Sequence, residues 1–337
     1  MSPRPQSPQP KSVAAEFEEH APQLESDAAE FEEHAPQLES DAAEFDRQAI
    51  EAFRVGYPDA SCNPVTVVIA AYNEAGNIGA VLDRIPTHVC SLPVSVLVVD
   101  DGSQDQTAAV ARDHGAYVAA SPSNRGQGAA LRLGYSLACA FGARFIATTD
   151  ADGQYDASEL ALLVDPLVRD EADFVTGSRR LGLYQSTDMA RHTGVHVFAR
   201  LLSLVARQRI TDTSNGLRAF KAGIVEHITL MQPQYQATEL LIGVIYRGFR
   251  VAERGTTMRP RTSGTSKKGP NLVYGYRFGR VMLSTWLREL RRNRAEGRRL
   301  SDPAPDLAVG RPGDDVAVTP HADHGEPAWS PDGRTAG

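Results

Sequence analysis

The sequence contains little cysteine and no long apolar run, and both absences restrict the class of protein. Its three cysteines, Cys62, Cys90 and Cys139, lie far apart and form no CxxC motif, which excludes a disulfide framework and a clustered metal site. No run approaches the roughly 18 apolar residues of a membrane-spanning helix. The opening segment, MSPRPQSPQPK, lacks the apolar core of a signal peptide. We therefore expect a cytoplasmic protein without a transmembrane helix, either soluble or peripheral to a membrane.

Negative charge is concentrated near the N-terminus. Residues 16–51 contain thirteen acidic residues and one basic residue, and the 14-residue repeat AAEFEEHAPQLESD occupies Ala14–Asp27 and Ala28–Asp41, with a third AAEF start after it. Each copy contains a proline and few apolar residues, which argues against a coiled coil or solenoid. We predict that residues 1–62 are a disordered acidic arm that catalysis does not require.

Positive charge is concentrated in the C-terminal part. Residues 247–299 contain fifteen Lys or Arg and three Glu, which predicts an anionic partner such as phosphate, nucleic acid or a membrane surface. Within them, residues 271–300 are predicted to form a basic amphipathic helix that either binds an anionic membrane or packs on the preceding domain. Its apolar face comprises Val281, Leu283, Trp286, Leu287 and Leu290. Residues 301–337, rich in Pro, Gly and Asp, are predicted to be disordered.

Residues 63–270 show the pattern of an α/β domain. Five apolar runs, VTVVIA, VSVLVVD, AYVAA, RFIATTD and DFVTGSR, alternate with helical patterns. Near-continuous apolar strands separated by helices predict a mostly parallel sheet that is covered by helices on both faces. In such sheets, ligands bind at the carboxyl ends of the strands.

Polar loops follow these strands at the edge where ligands are expected. AAYNEAGN follows the first strand, DDGSQDQT the second and GSRR the fifth. After the fourth strand, TTDADGQYD places Asp150 and Asp152 two residues apart, so that both carboxylates project in the same direction from an extended chain. Two adjacent carboxylates repel each other unless a cation lies between them, and oxygen ligands suit Mg²⁺ or Mn²⁺. The pattern predicts a divalent-metal site.

The ordered set of motifs resembles the family 2 glycosyltransferases of the GT-A fold, and in particular their polyprenyl-phosphate (dolichyl-phosphate) mannosyltransferase branch. The motifs that carry the resemblance are VVIAAYNEAGNI, VVDDGSQDQT, NRGQGAALRLG, DADGQ, VTGSRR, DTSNGLRAF and RTSGTSKKG. The resemblance implies a Rossmann-like GT-A sheet and inverting transfer of a hexose from a nucleotide sugar to a lipid phosphate. It also implies a protein that acts at the inner face of the plasma membrane.

The resemblance also implies roles for individual residues. Binding of the nucleotide sugar is implied for Tyr72, Glu74, Asp100, Asp101, Asn124, Arg125, Gly126, Gly128 and Asp150. Metal binding is implied for Asp150, Asp152 and Gln154. Catalytic roles are implied for Asp152, Arg179 and Glu239. Binding of the acceptor or donor phosphate is implied for Arg218, Arg261, Ser266 and Lys267.

Several of these assignments leave alternatives open. Where the family often has Lys, this chain has Gln127, so Arg125 is a candidate substitute for the missing charge. Asp100 either lines the nucleotide pocket with Asp101 or only orients its loop. Glu239 is either a catalytic base, as in relatives with hydroxyl acceptors, or a first-turn residue that the helix dipole favours. The pair His192 and His196 is interpreted as part of a helix face, because no third ligand accompanies it.

The substrates are also open. GDP-mannose is the favoured donor and UDP-glucose the second choice, and a hydroxyl acceptor is the alternative to polyprenyl phosphate. A sugar-phosphate nucleotidyltransferase is disfavoured, because AYNEAGNIG stands where that class has a loop rich in Gly and Arg. A basic nucleic-acid-binding module would leave the paired carboxylates unexplained, so no nucleic-acid partner is expected.

Overall fold

A curled eight-stranded sheet lies at the centre of the molecule, seen in a computed structural model that describes residues 40–182, 203, 209–259, 271–300 and 302–307. The strands run in the order β2-β3-β1-β5-β7-β6-β8, and β4 pairs with β3. Their bounds are β1 Val65–Ala71, β2 His88–Val89, β3 Leu92–Asp100, β4 Tyr117–Ala120, β5 Phe145–Thr148, β6 Phe174–Ser178, β7 Arg218–Lys221 and β8 Val251–Gly255.

Helices cover both faces of this sheet. They are α1 (residues 40–56), α2 Ile78–Leu82, α3 Thr107–Asp113, α4 Gln127–Ala140, α5 Leu160–Val168, α6 Gln236–Tyr246 and α7 Asn271–Ala295, with short 3-10 helices at Ala157–Glu159 and Ala222–His227. Successive residues of a strand point to opposite faces of the sheet. In β1, Val68 packs in the same cluster as α4 and α6, whereas Val67 and Ile69 pack in the cluster of α2 and α5. The predicted α/β fold with helices on both faces is therefore confirmed.

One strand in the middle of the sheet interrupts the parallel order, and the edge strand β2 is antiparallel to β3. Strand β1 pairs in parallel with β3 and β5, and β6 pairs in parallel with β8. Strand β7, which was not predicted, lies between β5 and β6 and is antiparallel to both, so that Thr148 stands opposite Arg218. Its sequence, RAFK, begins and ends with a charged residue, so that no apolar run indicated a strand. This strand nevertheless brings Arg218 beside the end of β5.

The end of the acidic arm is folded, so the prediction of disorder for residues 1–62 is wrong from residue 40 onward. Helix α1 places Phe53, 6% exposed, in the core. The Phe53 ring lies 5.0 Å from that of Phe141 and 4.7 Å from that of Tyr57, centroid to centroid. Residues 1–39 lie outside the described part. The proposed boundary at residue 62 does not separate an arm from a domain, because α1 shares its core.

Phe53→Ala is expected to lower the free energy of unfolding by about 3 kcal/mol, because the substitution removes a buried aromatic side chain and leaves a cavity. Urea unfolding monitored by circular dichroism measures the loss. Val55→Ala on the same helix is the matched control, since Val55 is 74% exposed and its truncation should change stability by less than about 0.5 kcal/mol. Equal, small effects of both variants would mean that α1 contributes little to the fold.

The predicted basic helix exists, but its apolar face is covered. In α7, Val281 is 6% exposed, and Met282, Trp286 and Leu290 pack against the same core cluster as α4 and α6. Of the two interpretations of this helix, packing on the domain is therefore the correct one, and insertion of this face into a membrane is excluded in this conformation. Only Leu283 of the apolar face is largely exposed, at 54%.

The chain after α7 also contributes to the core where it is described. Ala304 and Leu307 pack against the cluster that contains α4, and Leu307 contacts Gly223. The prediction of disorder for residues 301–337 is thus wrong for residues 302–307, and residues 308–337 lie outside the described part. Within the described residues, no helix combines the length and the apolar character that crossing a membrane requires.

Candidate active site

The loops after β1 and β3 are joined at one edge of the sheet. The backbone amide of Asn73 donates to Ser103 Oγ over 2.9 Å, and the amide of Gln104 donates to Asn73 Oδ1 over 2.8 Å. Glu74, predicted to bind the nucleotide sugar, accepts a hydrogen bond from Asn77 Nδ2 at 2.7 Å, just before α2 begins. Tyr72 lies partly exposed in the same loop. These loops form the edge at which the sequence places the donor.

The two aspartates that end β3 have different partners. Asp100 Oδ1 accepts from the amide of Ser103 over 3.1 Å, which turns the loop after β3. Asp101 accepts from the amides of Arg125 and Gly126, each over 2.8 Å, and is 3% exposed. Burial raises the pKa of Asp101, against the opposing effect of those two amide hydrogen bonds. Asp101 thus fixes the conformation of residues 124–128, here called the glycine loop.

The glycines of this loop permit a close approach between backbones. A Cβ on Gly126 would lie 2.6 Å from the carbonyl oxygen of Pro233, and one on Gly128 would lie 2.0 Å from that of Gln232. The amide of Gly128 donates to Pro233 O over 2.8 Å, and Gly126 has a φ of 96°. Glycine is therefore required at both positions by the contact with residues 232–233, whichever ligand the loop meets.

The side chain of Arg125 has partners within the protein. Its Cζ lies 3.6 Å from the centroid of the Phe45 ring, and its Nη1 lies 3.6 Å from Asp46 Oδ1. Arg125 therefore contacts α1 in this conformation, and the structure gives no support to the idea that its charge replaces the lysine missing at Gln127. Burial lowers the pKa of Arg125, and the Asp46 carboxylate opposes that effect.

Asp150 and Asp152 follow β5 as predicted. Asp150 Oδ1 accepts from Gln127 Nε2 over 3.1 Å, and its carboxylate lies so close to Gly216 that a Cβ there would be 2.8 Å from Oδ2. Asp152 is 5% exposed and accepts from the amide of Gln154 over 3.1 Å. The site thus joins the start of α4, the end of β5 and the turn before β7.

The side-chain oxygens of Asp150, Asp152 and Gln154 are suited to form part of the coordination shell of a divalent cation. Asp150, Asp152 and Gln154 supply two carboxylates and one amide oxygen, while Gln154 Nε2 donates to Arg259 O over 3.2 Å. No group of three or more His, Cys, Asp or Glu with a metal-binding arrangement occurs in the described part of the chain. The residues fit a Mg²⁺ or Mn²⁺ ion that takes its remaining ligands from water and substrate.

Arg179, predicted to be catalytic, forms a two-pronged pair with a buried carboxylate. Its Nε and Nη2 donate to the two oxygens of Asp212 over 2.6 and 2.7 Å, and Nη2 also donates to Ser214 Oγ over 2.8 Å. Burial alone would raise the pKa of Asp212, but the Arg179 guanidinium holds it below its ordinary value. Asp212, which the sequence analysis did not single out as a site residue, balances the charge of Arg179.

Arg218 is buried at the start of β7. It is 4% exposed, its Nε donates to Asn215 O over 3.0 Å, and its Nη1 donates to Gln236 Oε1 over 3.4 Å. This position on β7, opposite Thr148, brings a cation to the end of β5. The arrangement is compatible with the phosphate-binding role predicted for Arg218.

Glu239 is enclosed and its two oxygens are occupied. It accepts from the amide of Met231 over 2.9 Å, from the amide of Gln232 over 3.0 Å and from Arg288 Nη1 over 2.9 Å. The residue is 1% exposed, and burial raises its pKa although Arg288 and the two amides oppose that effect. These contacts favour the structural interpretation of Glu239 over the catalytic base, because both oxygens are buried and already accept hydrogen bonds.

Some predicted residues lie outside the described part of the chain, and some important ones were missed. The predicted residues outside the described part are Arg261, Ser266, Lys267, His192 and His196. The residues that the sequence analysis missed are Asp46, Asp212 and Arg288. Their partners lie between 33 and 86 residues away, so that no local sequence pattern indicated these pairs.

Comparison with solved structures establishes the class of fold. The crystal structure of glucosyl-3-phosphoglycerate synthase from Mycobacterium tuberculosis, in complex with Mn²⁺, UDP and glucosyl-3-phosphoglycerate, matches with a TM-score of 0.52 at 20% identity, over 71% of this chain and 83% of that one. Together with the sheet described above, this similarity confirms the predicted GT-A fold.

Sequence comparison establishes the family. The profile of Glycosyl transferase family 2 matches residues 66–229. A dolichyl-phosphate hexose transferase of Haloferax volcanii is 30% identical over 225 residues, 67% of this chain and 95% of that protein. A polyprenol monophosphomannose synthase of Mycolicibacterium smegmatis is 31% identical over 222 residues, 61% of this chain and 82% of that protein. The chain belongs to glycosyltransferase family 2.

Proposed function

We propose that this glycosyltransferase transfers a hexose, with inversion, from a nucleotide sugar to the phosphate of a polyprenyl phosphate, with help from Mg²⁺ or Mn²⁺. The observation that carries the proposal is the pair Asp150 and Asp152 at the end of β5, at the sheet edge where the loops after β1 and β3 also lie. The acceptor is supported by the names of the two relatives, which specify dolichyl-phosphate and polyprenol monophosphate chemistry.

Asp150, Asp152 and Gln154 would hold the metal ion through hard oxygen ligands. When bound, such an ion supplies Lewis-acid stabilisation of the diphosphate leaving group. The solved neighbour from Mycobacterium tuberculosis was crystallised with Mn²⁺ and UDP, which supports the same assignment for this chain. The contact from Gln127 to Asp150 fixes one of the two carboxylates in place.

The rest of the donor site would be shaped by the loops around it. Asp100 and Asp101 each accept backbone amide hydrogen bonds, and these bonds hold the loop after β3 and the glycine loop as two walls for the nucleotide. Tyr72 and Glu74 would line the pocket from the loop after β1. The role of these residues is to bind and orient the donor, so that the anomeric carbon faces the acceptor.

A phosphate acceptor agrees with the surroundings of Glu239. A phosphomonoester is already ionised at neutral pH, so that no base is needed to deprotonate it and positive charge must position it. Arg218 is the described candidate for that task, and Arg261, Ser266 and Lys267 would complete the acceptor site. Arg179, whose charge Asp212 balances, would position the segment around Ser214.

Two alternatives for the substrates are retained. GDP-mannose is the favoured donor and UDP-glucose the second. A hydroxyl acceptor with UDP-glucose is the alternative reaction, but it requires a base, and the buried, fully paired Glu239 does not supply one. A nucleic-acid-binding role remains disfavoured, since it does not explain the two carboxylates that follow β5.

A lipid acceptor requires approach to a membrane, which we propose occurs at the inner face of the plasma membrane. Since the apolar face of α7 packs on the domain, the attraction would be electrostatic. Arg291, Arg294 and Arg299 lie on the exposed side of the C-terminal helix and its extension. Each basic residue near an anionic bilayer contributes about 1 kcal/mol.

A radiolabel transfer assay tests the proposed reaction. The full-length protein is incubated with a panel of labelled nucleotide sugars and polyprenyl phosphate, with Mn²⁺ or with EDTA, and the product is extracted into organic solvent. The proposal predicts label in the organic phase for one donor only when the metal is present. Label that stays in the aqueous phase with every donor would contradict the lipid acceptor, and transfer at full rate in EDTA would exclude the metal.

A further inference from the structure

A single carboxylate connects the N-terminal helix to two arginines, Arg125 within the glycine loop and Arg132 on α4. Asp46 Oδ2 accepts from Arg132 Nε over 2.8 Å, and Asp46 Oδ1 lies 3.4 Å from Arg132 Nη2 and 3.6 Å from Arg125 Nη1. The side chains of Asp46, Arg132 and Arg125 are 10%, 17% and 22% exposed. Charges enclosed to this degree are screened little by solvent.

The neighbouring residue, Phe45, covers the same guanidinium. The Arg125 Cζ lies 3.6 Å from its ring centroid, which is the distance of a close cation–π contact. Phe45 ends the third AAEF start of the acidic repeat, and Asp46 follows it directly. The last part of the acidic segment thus supplies both the charge and the aromatic surface that Arg125 contacts.

Each of the two arginines also contacts a second segment next to the glycine loop. The backbone amide of Arg125 donates to Asp101, in the loop after β3. Arg132 also donates from Nη1 to Leu230 O over 3.4 Å, three residues before Pro233, whose carbonyl oxygen accepts from Gly128. Asp46 is therefore the point at which α1, the glycine loop and residues 230–233 are joined.

We propose that Asp46, assisted by Phe45, is a positioning residue that holds the glycine loop in the conformation that binds the donor nucleotide. This inference rests on the proposed function, because it takes the glycine loop as a wall of the nucleotide site. Without the Asp46 carboxylate, Arg125 and Arg132 would be two enclosed like charges that repel each other. The glycine loop would then keep its hydrogen bonds to Asp101 and lose the ion pair that Arg125 makes with Asp46.

The effect of Asp46 can be separated from the stability of α1. The helix is anchored by Phe53, which is buried among aromatic rings two turns further along, so that Asp46→Asn should leave the helix folded. Glu44→Gln is the matched control, since Glu44 lies exposed on the same helix and, among the residues that the structure describes, pairs with its close neighbours Arg47 and Gln48.

The test measures binding and turnover separately on the full-length protein. Isothermal titration calorimetry with GDP and with UDP, each with Mn²⁺, gives the dissociation constant, and the transfer assay gives KM and kcat. Asp46→Asn is expected to raise the dissociation constant and the donor KM by about tenfold, the effect of losing one charged contact, while kcat changes by less than about twofold. Glu44→Gln should match the wild type, and Asp46→Glu should recover part of the affinity.

A double-mutant cycle identifies the contact. Arg125→Met should weaken nucleotide binding to a similar degree, and Asp46→Asn combined with Arg125→Met should be no weaker than either alone, because both act through one pair. If Asp46→Asn does not fold, Arg125→Met still tests the proposal, since it leaves the pair of Asp46 with Arg132 intact. Unchanged or tighter nucleotide binding in the folded variants would overturn the inference. A wild type that binds neither nucleotide would instead refute the proposed function.

Discussion

Asp152→Asn is expected to reduce the rate of sugar transfer by about 100-fold or more while the fold remains intact. The carboxylate lies 5% exposed at the end of β5, where the proposed metal and the diphosphate leaving group meet. Replacing it by an amide removes one negative charge from the ligand set, and loss of a group that stabilises transition-state charge typically costs 100- to 1,000-fold. Initial rates of label transfer, with circular dichroism for the fold, measure the effect.

Asp165→Asn provides the control for this substitution. Asp165 lies on α5, pairs with Arg169 on the same helix, and has a side chain that is 42% exposed, so its amide variant should retain wild-type turnover. Added Mn²⁺ should restore little activity to Asp152→Asn if the carboxylate is a ligand, but should fully restore wild-type protein that was treated with EDTA. An Asp152→Asn variant that transfers sugar at the wild-type rate would remove this residue from the active site.

The central sheet and the edge that carries the site were predictable from the sequence. Strands such as Val65–Ala71 are apolar at nearly every position because both faces of the sheet are covered. The carboxyl ends of parallel strands meet at one edge, so that Asp100 and Asp150 could be placed at the same edge of the sheet from the alternation of strands and helices. The alternation of strand and helix therefore carried most of the information about the site.

The role of helix α1 could not be recognised from composition. Phe45, Ala49, Ile50, Phe53 and Tyr57 recur at helical spacing and pack on the domain, but the first of them belongs to a repeat whose other copies contain proline. The acidic excess indicated a solvated segment, and its one decisive charge, Asp46, is neutralised by arginines that lie 79 and 86 residues further along the chain. Such pairs depend on the tertiary fold.

Glu239 shows why a residue type and a position do not fix a role. Its place in the first turn of α6 was compatible with a base or with a dipole-favoured carboxylate, and the choice depended on Arg288, which is 49 residues away. The burial of the apolar face of α7 could not be predicted for the same reason. An amphipathic helix has the same sequence pattern whether it faces a bilayer or a protein core. In both cases, the missing information was the identity of the neighbour.

Arg288→Met is expected to lower the free energy of unfolding by about 3–5 kcal/mol, the cost of leaving a buried carboxylate without its partner. The Glu239 side chain is completely buried. Arg288 also donates to Thr229 O over 2.8 Å and to Glu289 Oε1 over 3.3 Å, so that the substitution removes all three contacts. Urea unfolding measures the loss. Arg294→Met, at an exposed position of the same helix, should leave stability nearly unchanged.

The effect of Arg288→Met should depend on pH in the direction expected of a buried carboxylate that loses its cation. Burial already raises the pKa of Glu239 and Arg288 opposes that effect, so that removing Arg288 raises this pKa further. The folded variant then keeps a proton that the unfolded chain loses above the ordinary glutamate pKa of about 4.3. Its stability must therefore fall as pH rises from that value through the raised pKa, and the deficit relative to the wild type should be larger at about pH 8 than at about pH 5.

A second substitution at Glu239 completes the argument. Glu239→Gln together with Arg288→Met removes the buried charge of Glu239 as well as its partner, and the double variant should be more stable than Arg288→Met alone at about pH 8, because position 239 no longer carries a charge that lacks its arginine. Its stability should also lose the added pH dependence. If the double variant is as unstable as the single one and both respond equally to pH, then Arg288 stabilises α7 through its contact with Thr229, and Glu239 is not the reason that this arginine is needed.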